Sequence, residues 1–198
     1  MVMKIQDLYK HLLTKHGKPQ EQWELWCKRP KTNKEKELVM IGAVLTQNTN
    51  WKNVELAIAN LKAKKLDSLN KIYGAGQKKI ASLVRPAGFY NQKSGYLFNL
   101  AKFFVENDIK HKNLEQLRKE LLEVKGIGPE TADSILLYAL EKPVFVIDEY
   151  TRRLVEKHKI AQNMCYAYLQ KLFESNLDKD YKSYQDLHAL IVIEGKKK

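Results

Sequence analysis

Residues 126–129 read Gly-Ile-Gly-Pro, and they stand between two stretches of helical period. Upstream, Leu114, Leu117, Leu121 and Leu122 mark one helix face; downstream, Ala132, Ile135, Leu136 and Ala139 mark another. Pro129 suits the first turn of the second helix, where an N–H would go unused anyway. A plain helix–helix connection needs one glycine and some polar filler. Two glycines around an isoleucine predict a tight hairpin, both glycines free to take positive φ and the backbone open to close approach. Main-chain amides turned outward at a helix N-terminus would form an anion site. The competing reading is a tight αα-turn with glycine at the helix C-cap. The hairpin alone does not choose between them.

Helical spacing recurs through the rest of the chain. Ile5, Leu8, Leu12 and Leu13 predict a first helix, stopped by Gly17 and Pro19. Leu38, Ile41, Val44 and Leu45 lie in a helix apolar nearly all round, hence central. Trp51, Val54, Ile58 and Leu61 follow, with Asn50 as N-cap. Further helices are expected around 66–72, 76–85, 93–105, 148–157, 164–176 and 181–194. Pro143–Ile147 is the one strand-like run, too short to imply a sheet. The fold class is therefore all-α, an array of about ten short helices, and Lys196, Lys197 and Lys198 are expected to form a solvated tail.

A net charge of +12, from 35 Lys+Arg against 23 Asp+Glu, is an argument about partners, and nucleic acid is the commonest polyanion. No run reaches the apolar length that spans a bilayer. Asp7, His11, Lys15 and His16 interrupt any apolar core of a secretion signal. Cys27 and Cys165 are the only cysteines. They could bridge, but a thiol-poor chain without a signal reads as reduced and cytoplasmic. Two cysteines hold neither an iron–sulfur cluster nor a Cys-based zinc site.

The segment VKGIGPETADSILLYAL followed by PVFVIDEYTRRL resembles the helix-hairpin-helix (HhH-GPD) DNA glycosylase superfamily, in its endonuclease III-like branch. Gly128 to Asp148 spans 20 positions, the family's interval from hairpin to invariant aspartate. The resemblance extends over residues 35–196. IGAVLTQNTNWKNVELAIANL is similar to the family's early helix and DNA-wedge loop, LVRPAGFYNQKSGYL to its IGFYxxKA segment, and YQDLHALIVIEGK to its last helix. Two departures stand out. The fourth residue after Gly126, a nucleophilic lysine in bifunctional members, is Glu130. The cluster of four cysteines is absent. The chain therefore resembles most the 3-methyladenine DNA glycosylases that lack the cluster.

That resemblance implies a two-lobed fold. Residues 32–140, with the helix-hairpin-helix at about 113–140, would form one lobe; residues 1–31 and 141–198 would form the other, with Asp148 at the cleft between them. It also implies the activity: a monofunctional base-excision-repair glycosylase that flips damaged, alkylated purines from duplex DNA and hydrolyses their N-glycosidic bond. An 8-oxoguanine glycosylase, or a DNA-binding module without catalysis, are the alternatives. The partner would be double-stranded DNA, the protein a nucleoid-associated monomer, and no cofactor would be needed, although the hairpin could hold a monovalent cation.

Asp148 read by itself is an N-cap before EYTRRL. The resemblance makes it catalytic as well, a carboxylate beside the positive charge that develops on the sugar. It also places Gln47 as the DNA wedge, and Trp23, Trp26, Trp51, Glu130 and Tyr150 in the base pocket, with Tyr90 a further candidate. Read without it, the three tryptophans are core. Stacking on indole would favour an electron-poor or cationic alkylated base. Lys125, Gly126, Ile127, Gly128, Thr131 and Arg153 are expected to contact phosphates, and His188 to be a packed or hydrogen-bonded histidine. No metal site is expected.

Overall fold

The computed structural model describes residues 4–197. Among them the chain is all-helical and without a strand. The α-helices run in the order α1 (Ile5–His16), α2 (Trp23–Trp26), α3 (Asn33–Leu45), α4 (Trp51–Ala63), α5 (Leu69–Ala75), α6 (Gln77–Leu83), α7 (Tyr90–Glu106), α8 (Leu114–Glu123), α9 (Pro129–Ser134), α10 (Glu149–Lys157), α11 (Tyr166–Ser175) and α12 (Tyr181–Lys196). A 3₁₀ turn, Arg85–Ala87, precedes α7, and a π turn, Ile135–Ala139, continues α9. The chain divides into two units: Pro30–Ile135, and the residues up to Arg29 together with those from Leu136 onward.

In the unit Pro30–Ile135, α3 is the centre. Thr32 and Glu35 close a capping box at its start. Leu38 to Leu45 are then all buried, as an all-round apolar helix must be. Asn50 caps α4 through a 3.0 Å bond from the Asn53 N–H. Helix α7 packs on α3, α5 and α6. From α7 the buried Lys93 ammonium donates to the carbonyls of Leu45 (2.9 Å) and Ala87 (2.6 Å). It thereby ties the end of α3 to the 3₁₀ turn. Burial lowers its pKa to about 8. Helix α8 starts at an Asn113–Gln116 capping box and turns Leu117 and Leu121 inward.

In the other unit α12 is the core helix, with Tyr184, Gln185 and Leu187 to Val192 buried. Helices α1 and α10 pack on it. At the end of α1, Lys15 and His16 meet Glu194 at 2.9 and 2.7 Å. Phe145 stacks on Phe173 with centroids 4.6 Å apart.

Three expectations are corrected. Pro143–Ile147 forms no strand. Instead of a sheet ladder, the Phe145 N–H donates to Glu174 at 2.8 Å, and Gln170 donates to the Phe145 carbonyl at 2.7 Å. Side chains of α11 thus satisfy a non-helical backbone whose apolar residues are buried. Leu13 is 39 % exposed, because the inward face of α1 is Ile5, Leu8 and Leu12. Among the described residues the α-helices number twelve rather than about ten, and Trp23–Trp26 forms a short helix where none was expected. Of the expected tail, Lys196 ends α12, and Lys198 lies outside the described residues, as do positions 1–3. Cys27 and Cys165 are not joined in a disulfide.

Candidate functional site

The hairpin sits between α8 and α9. Arg118 on α8 makes a two-pronged pair with Asp133 on α9, at 2.7 and 2.9 Å. Asp133 is fully buried. A charge so placed needs a charge-assisted partner, and the fork fixes both distance and orientation of the two helices. The turn itself is closed by the Ile127 N–H, which donates to the Val124 carbonyl at 2.9 Å.

The two glycines differ. Gly126 has φ +96°, and a Cβ there would run into the Tyr96 ring. Gly128 has φ −87°, and nothing in the protein lies within 4 Å of a Cβ built on it. The expectation of positive φ therefore holds at Gly126 and is corrected at Gly128. Only the first glycine is demanded by the fold; at the second the open space faces outward. The N–H groups of Gly126 and Gly128 donate to no backbone group among the described residues outside the helices. A groove of about 590 Å³ runs along this turn, lined among others by Gln47, Asn48, Tyr96, Lys125, Gly128 and Glu130.

The individual residues fall as follows. Lys125 is exposed beside the turn, and its carbonyl accepts from Asn99 at 3.1 Å. Glu130 is exposed in the first turn of α9, where a negative charge suits the helix dipole. Two of the residues expected to contact phosphates are engaged within the protein. Ile127 is buried with its N–H spent on the turn. Thr131 is buried, and its hydroxyl accepts from the Gln47 amide at 3.0 Å. Gln47 also donates to the Gly126 carbonyl at 3.1 Å. It braces the hairpin, and entering a DNA helix would mean giving up both bonds. Trp51 is half-buried at the start of α4.

Two residues near these segments escaped the sequence reading. Asn48 has φ +50° and lines the groove exposed. Phe89 is 66 % exposed with φ +44°. A bulky residue rarely adopts that backbone, so the exposed ring sits on a strained turn. The sequence signal is Gly88-Phe89-Tyr90, and the neighbouring Tyr90 ring lies 5.1 Å from the Arg85 guanidinium.

In the other unit Asp148 is the N-cap of α10. Its Oδ1 accepts from the Thr151 N–H at 2.7 Å and from the Thr151 hydroxyl at 2.8 Å. Its Oδ2 lies 3.4 Å from His188 Nε2 on α12. The group is only 9 % exposed. Burial pushes the carboxyl up, but the facing His188 and the two Thr151 donors outweigh it, so it stays below the usual carboxylate range. The cap and the desolvated carboxylate are one object. Behind it, His188 Nδ1 is 2.7 Å from the Tyr138 hydroxyl.

Trp23 and Trp26 are buried and pack on this group. They meet edge to face at 5.9 Å, and lie 5.7 and 5.2 Å from the Tyr138 ring. Tyr150 packs on the backbone of Gly195, where a Cβ would come within 2.5 Å of its ring. Arg153 is exposed, paired with Glu149 at 3.0 Å and set 5.9 Å from the Tyr150 ring. Arg152 donates instead to the Met164 carbonyl. Among the described residues no group of His, Cys, Asp and Glu is arranged to hold a metal ion, and no helix is long and apolar enough to cross a membrane.

A glycine-shaped hairpin followed by a capped, buried aspartate defines a class, and comparison with known proteins gives it a family. Residues 41–179 match the HhH-GPD superfamily of base excision DNA repair proteins. A provisionally named DNA repair glycosylase of Methanocaldococcus jannaschii is 46% identical over 170 residues, covering 80% of this chain and 76% of that protein. The chain therefore belongs to the HhH-GPD superfamily, the DNA glycosylase superfamily of base excision repair that its motifs resemble. Among solved structures, the H. pylori 3-methyladenine DNA glycosylase bound to 1,N6-ethenoadenine superimposes with a TM-score of 0.77 at 30% identity, over 96% of both chains. An endonuclease III trapped as a covalent intermediate with DNA shares the fold, with a TM-score of 0.76 at 14% identity over 98% of this chain and 86% of that one.

Proposed function

We propose that the protein is a monofunctional DNA glycosylase that releases alkylated purines from duplex DNA by hydrolysis. The observation that carries the reading is Asp148: a carboxylate taken out of water yet kept ionised. Breaking the bond from base to deoxyribose leaves positive charge on the sugar. A fixed negative charge in a low-dielectric setting stabilises that charge far more than one in water. The same carboxylate can orient the attacking water.

A lyase step needs an amine that forms a Schiff base with the sugar. Glu130 stands at the position where the family's bifunctional members carry that amine. The product is then an intact abasic site. An alkylated purine is already a good leaving group, so no strong general acid is required. The likeness to the H. pylori 3-methyladenine enzyme favours this substrate class.

On the DNA side, the amides of Gly126 and Gly128 and the charge of Lys125 hold phosphates, which position the duplex without reading its sequence. A base turned out of the helix leaves a gap that a protein side chain must fill. Gln47 is the family's candidate. Phe89, already exposed on a strained turn, is the apolar ring free to wedge into the stack.

The test is a panel of duplexes carrying 3-methyladenine, 1,N6-ethenoadenine, 8-oxoguanine or no lesion, assayed for free base. Release from the alkylated purines is expected. Release from 8-oxoguanine alone would move the protein to the oxidised-base enzymes. Tight binding with release from none would make it a DNA-binding module.

A further inference from the structure

Asp148 has two oxygens, and only one is anchored by hydrogen bonds. Oδ1 takes both Thr151 donors; Oδ2 faces the His188 Nε2 at 3.4 Å. That distance is too long for a good hydrogen bond, and Nε2 is buried with no hydrogen-bond partner. The imidazole is nevertheless held. Its Nδ1 is 2.7 Å from the Tyr138 hydroxyl, which also lies 3.2 Å from the Gln185 carbonyl. Trp23 and Phe145 stand edge-on to the ring at 6.0 and 6.3 Å. Tyr138 itself is fully buried in the π turn, a backbone irregularity that recurs at functional sites.

The hydroxyl has one hydrogen and two acceptors within reach. Given to Nδ1, it leaves the proton of a neutral imidazole on Nε2. Given to the Gln185 carbonyl, it requires a proton on Nδ1. Nε2 then either carries a second proton, making a cation, or presents a lone pair to a carboxylate oxygen. The last arrangement is repulsive. Both favourable arrangements put a proton on Nε2, directed at Oδ2.

We propose that His188, held in place by Tyr138, is a positioning residue that aims the free oxygen of Asp148 and keeps this carboxylate ionised during base release. The inference rests on the catalytic reading of Asp148 given above. Other charged or titratable groups that act on this cluster include Cys27 after α2, Asp186 and Lys196 on α12, Glu21 beside Lys196, and Arg29, which pairs with Asp186. Lys196 adds positive charge on the Asp148 side. The charge of Asp186 is met by Arg29, so His188 is the cation-forming group in contact with the carboxylate.

The experiment is the pH dependence of single-turnover base release from an alkylated-purine duplex, for the wild type, His188→Gln and Tyr138→Phe. Glutamine can donate a hydrogen bond but cannot carry charge. The acidic limb of the His188→Gln profile is expected to move up by about one pH unit, and that of Tyr138→Phe in the same direction by less. A purely structural histidine would lower the rate equally at every pH and leave the limb where it is, which overturns the proposal. Because His188 is buried, the wild type supplies a second reading through its imidazole nitrogen NMR signals. A protonated Nε2 across the working pH range supports the proposal, and a bare Nε2 overturns it. A wild type that releases no base overturns the reading beneath; an active wild type with an unmoved limb overturns the role of His188 alone.

Discussion

The hairpin and the Asp148 cluster are built on opposite principles. The hairpin works through what is missing: side chains absent at Gly126 and Gly128, and main-chain amides that donate to no backbone group among the described residues outside the helices. Its surroundings are half-exposed, and its one buried charge, Asp133, is fully engaged by Arg118. The Asp148 cluster works through what is present: a carboxylate, an imidazole and a phenol taken out of water, the phenol 2.7 Å from one imidazole nitrogen and the carboxylate 3.4 Å from the other. Holding a phosphate backbone calls for open, weakly directional donors whose attraction is screened by salt. Stabilising a transient cation calls for a desolvated charge of fixed direction. Binding and chemistry are thus separable by mutation.

The largest expected effect lies in the cluster. Asp148→Asn keeps size and much of the cap but removes the charge, so single-turnover base release should fall by about two orders of magnitude or more. Duplex affinity, measured on the same preparation, should stay near wild type. Affinity and rate falling together would break the division drawn above.

Next is Asp133→Asn, which leaves Arg118 facing a neutral group at the base of the hairpin. Unfolding in urea should show a loss of about 3 kcal/mol, the scale for breaking a buried pair, reduced to the extent that Arg118 turns toward solvent. The two glycines then offer a finer contrast. Gly126→Val meets both the positive φ and the Tyr96 ring, and should cost about 2 kcal/mol of stability along with DNA affinity. Gly128→Ala meets no protein atom, so stability should change by under about 0.5 kcal/mol while affinity for every duplex sequence still falls. Normal affinity in Gly128→Ala would reduce this glycine to a turn residue.

The smallest effect concerns the α1–α12 contact. Glu194 is lowered to about 2, first by its hydrogen bond to Lys15 and then by His16. A depressed carboxyl stabilises the fold above its unfolded pKa, and that contribution drains away as pH falls from the ordinary carboxylate range toward 2. Glu194→Gln should therefore lose less melting temperature between pH 7 and pH 3 than the wild type does.

The sequence carried the parts whose cause is local. Gly126, the Asn50 cap and the Asp148 cap follow from backbone rules that operate within a few residues, and the helix faces follow from spacing. What stayed hidden depends on partners distant in the chain. Nothing near Asp133 announces Arg118, and nothing near His188 announces Tyr138 or Asp148. The apolar run Pro143–Ile147 looked strand-like because burial on both sides gives the same pattern; its hydrogen-bond partners are side chains of α11. The internal bonds of Ile127 and Thr131 stayed hidden for a related reason. A residue's place in a motif does not say whether its N–H or hydroxyl points outward or closes the turn.

The most direct measurement is the product of wild-type turnover on an alkylated-purine duplex, run with and without borohydride. Free base, a strand that breaks only after alkali, and no covalent protein–DNA adduct are expected, since Glu130 cannot form a Schiff base. A borohydride-trapped adduct would contradict this, and would place a nucleophilic amine, at Lys125, Lys196 or another lysine, where only a carboxylate and water are expected.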